Sequence, residues 1–430
     1  MKPKFFVLNL ISLFFIFLYC NVFAQNQQKE SSPEELNYDK SKYEIRHGTL
    51  IPKREMNEEE HEEWRMKGFE RSAKEFEPSG VGKGEDVQIY IDKYSERARY
   101  DKRMFYFDIK GTGKGSDVTL TGAVGFPEMK DSLINLLKIL KLNVTDNIEV
   151  LPSKSLGDKI FAITNVSHQL IYDKPSDKSE QMTDAVIGDL IYLLKYDEPS
   201  GFYLCMSSSG YLGWIPKDAL TLLNKEQFKS FQDAPKAVFK KIFKTEKVTI
   251  AIGAKLKTVK IDDKNVEVAI PPYTSDGKFD TVRVDKSFVN IFGDKSSQLI
   301  KDIIKSAEEL MNTPYVWGGM TQDGIDCSGY IMSVYGAYGI NLARDSNQQV
   351  ESGELVATRW YLDGLKPGDA IYFTGHSGNI NHTGLYIGNN RILNATHPKV
   401  KISSFDPNDK EYYNEHLVNS FAFGKRFIVW

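Results

Sequence analysis

Thr313-Pro314-Tyr315-Val316-Trp317-Gly318-Gly319, running on to Gly324-Ile325-Asp326-Cys327-Ser328-Gly329, places one cysteine behind a glycine-rich aromatic loop. Tyr330-Ile331-Met332-Ser333-Val334-Tyr335 follows, and Ile331, Val334, Tyr335 and Tyr338 recur at helical spacing. Cys327 is therefore expected in the first turn of a helix, with Asp326 as its N-cap. Unpaired N–H groups and the positive dipole end gather there and favour a thiolate. Downstream, Asn381-His382-Thr383-Gly384-Leu385-Tyr386-Ile387 sets a histidine at a strand start, and Asn394 follows across a hairpin. Nucleophile, base and orienting polar residue in that order form the pattern of a thiol hydrolase.

Each residue has a plainer reading. A lone cysteine is more often an inert core residue, and a lone histidine a satisfied structural one. Polar neighbours, surrounding glycines and a helix start favour chemistry at Cys327. Small residues after His382 leave one face open, and the combination carries the argument. Asn394 and His397 compete as orienter: three positions apart in one strand, they face opposite sides, and only one can share a face with the imidazole.

A chain of 430 residues exceeds one compact domain. A net charge of −3 leaves no basic surplus for nucleic-acid phosphates. Lys2 and Lys4, the apolar run Phe5 to Tyr19 and Val22-Phe23-Ala24 read as a signal peptide over 1–24. A transmembrane anchor, or lipidation at Cys20, fits that segment less well, so the expectation is a periplasmic or secreted protein without stable membrane insertion. The remaining cysteines, Cys205 and Cys327, are too few for a disulfide-dependent fold. Cys205 lies in an apolar strand and reads as a buried small hydrophobe; a bridge between the two would disable the nucleophile. No clustered His/Cys set suggests a metal, and no cofactor is expected.

The layout expected is multidomain α+β. Residues 25–85 form a charged linker or a loosely docked helix around Met56–Phe76. Residues 86–152 form a small α+β module, with strands near 104–109, 118–122 and 148–151 and a helix at 128–141. Its Leu120–Val124 run, then Pro127-Glu128, resembles BON-type envelope modules. Residues 153–225 carry short strands ending in Gly210-Tyr211-Leu212-Gly213-Trp214-Ile215, an order that resembles bacterial SH3-like barrels. Residues 240–295 repeat that alternation without the closing tryptophan and read as a second, divergent SH3-like domain. From 298 onward a helix capped by Ser296 or Ser297 precedes strands near 370–373, 383–387, 391–394 and 423–429.

Residues 298–430 resemble the NlpC-type cysteine peptidases of bacterial cell walls. The resemblance rests on the two motifs quoted first, then Leu365-Lys366-Pro367-Gly368-Asp369-Ala370 and His382 through Asn389. It implies a papain-like domain with Cys327 attacking, His382 shuttling the proton and Asn394 on the orienting strand, where the family usually carries histidine. Leu342-Ala343-Arg344-Asp345-Ser346 and the upstream modules look like the branch that cleaves γ-D-glutamyl–diamino acid bonds in peptidoglycan. In that branch Asp326 and Ser328 would hold the free amine of L-Ala, with Arg344, Asp345 and Ser346 nearby. Tyr315 and Trp317 would also face substrate, and an SH3-like domain would wall the cleft. The partners implied are peptidoglycan stem peptides or muropeptides. The rivals are a non-catalytic wall-binding protein and a thiol amidase or acyltransferase on the same fold.

Overall fold

The computed structural model describes residues 43–46, 49–52, 58–246, 248–273, 279–292 and 295–428. The signal-peptide segment lies outside the described residues. The chain divides into Met1–Glu63 and Trp64–Trp430. In the first unit Tyr43–Arg46 pairs antiparallel with Thr49–Pro52.

The expected charged linker contains a regular helix, α1 (Glu58–Phe76), whose last turns bury Ala73 and Phe76. Next come α2 (Val87–Ala98), β1 (Phe107–Lys114), β2 (Asp117–Val124), α3 (Pro127–Ile139) and β3 (Asn143–Val150). Pro127 opens α3 because its missing N–H costs nothing in a first turn. Leu133, Leu136 and Leu137 then line the face that α3 buries. Strands β1 and β2 pair antiparallel, and α3 carries the chain across to β3, which pairs parallel with β2.

The next module is a seven-stranded antiparallel sheet of β4 (Phe161–Thr164), β5 (His168–Tyr172), β6 (Gln181–Val186), β7 (Leu190–Asp197), β8 (Phe202–Met206), β9 (Leu212–Pro216) and β10 (Leu220–Leu223). Their order is β10-β4-β7-β8-β9-β5-β6. Strands β6 and β10 have no strong apolar alternation and are additions to the sequence reading. Helix α4 (Lys225–Asp233) starts in a capping box between Asn224 and Gln227 and buries Phe228 and Phe231.

A five-stranded sheet follows: β11 (Lys236–Phe239), β12 (Lys255–Ile261), β13 (Asn265–Tyr273), β14 (Phe279–Asp285) and β15 (Val289–Phe292), ordered β14-β13-β12-β11-β15. It has a separate core of Ala237, Phe239, Leu256, Val266, Val268 and Val284.

In the last part, α5 (Lys295–Glu308) and α6 (Cys327–Gly336) pack on a six-stranded antiparallel sheet. Helix α5 begins at Lys295, so Ser296 and Ser297 sit inside its first turn instead of capping it. A single-turn helix, α7 (Ser346–Gln349), precedes β16 (Glu354–Thr358), β17 (Ala370–Thr374), β18 (Ile380–Gly388), β19 (Arg391–Thr396) and β20 (Lys399–Ser404). Helix α8 (Glu415–Ser420) then leads into β21 (Phe421–Arg426), giving the order β16-β21-β17-β18-β19-β20.

One apolar core runs from Val87 and Leu133 through Tyr192 and Phe228 to Tyr330, Tyr372 and Phe423, so three of the modules share buried surface. Buried polar groups join them too: Gln232 donates to the Val356 carbonyl at 2.9 Å and accepts from Tyr361 at 3.0 Å. Among the described residues no helix is long and apolar enough to cross a membrane.

Candidate active site

Helix α6 begins at Cys327, and the side chain of Asp326 accepts from the Gly329 N–H at 2.7 Å as its N-cap. Gly329 is required there because a Cβ would meet the Gly319 carbonyl oxygen at 2.3 Å. The glycine-rich loop thus folds back over the first turn of α6. Asp326 ties it down a second time by accepting from Gly318 N–H at 2.8 Å. Ile331, Val334 and Tyr335 are buried, while Tyr338 lies beyond the helix and bonds to Ser306 at 2.7 Å. Gln349 holds the helix start from the other side, donating to the carbonyls of Ser328 at 3.0 Å and Ala343 at 2.9 Å.

Cys327 is only 6% exposed, and both Cys205 and Cys327 are free thiols. Burial opposes the expected thiolate. Burial, with the Asp326 carboxylate second, pushes the thiol up to about 11, against the N–H groups of Thr383, Ser328 and Cys327 itself. A helix N-terminus contributes roughly 0.3–2 kcal/mol, whereas full burial shifts a group by about 3–5 pKa units, so burial wins.

The Thr383 N–H facing this sulfur is the residue after His382, which brings strand β18 to the start of α6. His382 Nε2 lies 3.2 Å from Asn394 Oδ1 on β19. The Asn394 amide nitrogen is committed to Ser403 Oγ at 3.1 Å and the Lys401 carbonyl at 3.4 Å, so its oxygen faces the ring. The ring therefore donates from Nε2, leaving Nδ1 as the acceptor. Burial lowers His382 to about 4; Asn394 opposes this, and the charges of His416 and Lys401 add to it.

His397 is not on β19, which ends at Thr396. Its ring lies 6.5 Å from that of Tyr315, and its buried Nδ1 has no hydrogen-bond partner.

Asp326 has a partner within the chain. Arg344 grips both carboxylate oxygens, at 3.0 and 2.6 Å, and also donates to Ser328 Oγ at 2.9 Å. Arg344 thus shares the Asp326 charge beside the thiol. Asp345, the next residue, is exposed, and its carboxylate makes no cap bond to α7. Ser346 is buried at the start of α7. On the other rim Trp317 is 50% exposed and Val316 39%, while Tyr315 is half-buried.

Sequence reading missed Gln349, Ser403 and the Arg344–Asp326 pair, because each contact depends on a loop path that no local pattern specifies. Among the described residues no group of three His, Cys, Asp or Glu side chains is gathered to hold a metal ion.

Comparison with known proteins places this geometry. The chain is 24% identical over 241 residues to a gamma-D-glutamyl-L-lysine dipeptidyl-peptidase of Bacillus cereus, covering 53% of this chain and 68% of that protein. The Bacillus subtilis protein of the same name is 36% identical over 97 residues, covering 22% and 31%. The probable peptidoglycan endopeptidase LytE of Bacillus subtilis is 34% identical over 113 residues, covering 25% and 30%. The chain thus spans about two thirds of the first relative's length and less than a third of the other two. Residues 312–421, which hold the thiol, the histidine and the asparagine, match the NlpC/P60 family.

Proposed function

We propose that this protein is a cysteine endopeptidase acting on peptidoglycan stem peptides at the γ-D-Glu–diamino acid bond. The observation that carries the reading is Cys327 at the start of a helix packed on strand β18, with the His382 ring of that strand turned by Asn394. Cys327 attacks the scissile carbonyl as His382 Nδ1 takes its proton, and the imidazolium then returns that proton to the leaving amine. Asn394 Oδ1 accepts from Nε2–H throughout and holds the tautomer. Its neutral carbonyl stabilises the transient imidazolium less than a carboxylate would. The N–H groups at the start of α6 supply donors for the developing oxyanion.

The names of the Bacillus relatives support the substrate class. The two β-rich modules are read as SH3-like and as walls of the cleft, and the site works outside the cytoplasm.

Asp326, with Ser328 beside it, receives the free amine of L-Ala, sharing its charge with Arg344. A charge-assisted hydrogen bond contributes roughly 1.5–3 kcal/mol, or about tenfold to a hundredfold in rate. Hydrolysis of L-Ala-γ-D-Glu-diamino acid peptides should fall by that factor on N-acetylation, and Asp326→Asn should shrink the difference. Equal rates on free and acetylated peptides would remove the amine requirement.

A further inference from the structure

His382 stands close behind the turn that joins β17 to β18, and that turn is gripped along its length by the α2–α3 module. At its start, Thr374 Oγ1 accepts from Arg359 at 3.1 Å. Arg359 in turn forms a two-pronged ion pair with Glu128 of α3, at 3.0 and 2.9 Å, over the ring of Phe126. Ser132 of α3 donates to the His376 carbonyl at 2.5 Å, and Tyr100, just after α2, donates to the Ser377 carbonyl. Gly378 has φ +83°, and a Cβ there would meet Met129 Cγ at 2.5 Å. Asn379 reaches back to the Ala98 carbonyl at 2.5 Å.

Generic packing between modules would bury side chains against side chains. Here the module binds backbone carbonyls of consecutive turn residues, and so fixes the path of the chain into His382. A hairpin turn is otherwise the loosest part of a sheet, and catalytic geometry tolerates little displacement.

We propose that the α2–α3 module is a positioning part of the catalytic site: Glu128, Ser132 and Tyr100 hold the 374–379 turn and through it set His382 against Cys327. This rests on the roles assigned above to Cys327 and His382.

The test uses the full chain with Ser132→Ala and Asn379→Ala, each removing one bond. A loosened turn should lower kcat on a stem peptide about tenfold or more, with KM within about twofold, since small misplacements are costly. The acid limb of kcat/KM should also move from near pH 4 toward 6.5 as water reaches the ring. The groups acting on that ring (Asn394 from β19, Lys401 from β20 and His416 from α8) are unchanged in both variants.

Wild-type kcat and acid limb in both variants, whatever their melting temperatures, would overturn the proposal. Tyr100→Phe, which loses one hydroxyl, replaces either variant that does not fold. If the wild type cleaves no stem peptide, the functional reading has failed instead. The clamp is then read from alkylation of Cys327 by iodoacetamide at pH 7: a changed rate in the variants supports it, and equal rates overturn it.

Discussion

Asn394 shows how much one buried side chain can settle. It is fully buried, with its nitrogen spent on Ser403 and Lys401 and its oxygen on His382. Asn394→Ala should lower turnover about tenfold to a hundredfold by freeing the ring, while Asn394→His keeps much of the activity. The alanine variant also leaves the Ser403 hydroxyl without its partner, a loss of about 1–2 kcal/mol of stability. His397→Ala should leave kcat unchanged, and an effect there equal to that of Asn394→Ala would reassign the orienter. The mechanism needs a neutral imidazole, so activity should be present above the His382 transition near pH 4 and lost as pH falls through it. The sequence could single out Asp326, Cys327 and His382, which sit in strong local patterns, but left Asn394 and His397 open as orienter because it does not fix the hairpin register. It could not show their charge states. Those depend on burial, which pushes the Cys327 thiol up to about 11.

At the scale of elements, the start of α6 was the most legible feature. A capping aspartate three residues before a glycine N–H, ahead of an apolar stripe, is a signal within one turn of chain. The same turn is also the most tightly packed. Gly329→Ala would press a methyl against the Gly319 carbonyl, so the aromatic loop must shift away from the thiol. Overpacking of this kind costs about 1–3 kcal/mol, and thermal unfolding should show it, together with loss of turnover. A variant with wild-type stability would mean that the loop moves freely. The central strands β17 and β18 were readable from their apolar runs. Strand β16 was not: Glu354-Leu355-Val356-Ala357-Thr358 is short, and only pairing with β21 makes it a strand. The Arg344–Asp326 bridge joins residues 18 apart across a loop and has no periodic signature at all.

For the whole molecule, the sequence suggested modules strung one after another, each with its own core. The structure instead joins three of them through shared buried surface. Ser132 meets His376 across 244 positions, and Arg359 meets Glu128 across 231. Such contacts are invisible to pattern reading, since both partners look like ordinary surface residues of their own elements. The consequence is that substitutions far upstream bear on the chemistry at Cys327. Everything in this account depends on that thiol as the attacking group. Mass spectrometry of L-Ala-γ-D-Glu-diamino acid peptide incubated with wild type and with Cys327→Ala tests it most directly. The account predicts release of L-Ala-D-Glu by the wild type and none by the folded alanine variant. Cleavage at the wild-type rate by Cys327→Ala would contradict it.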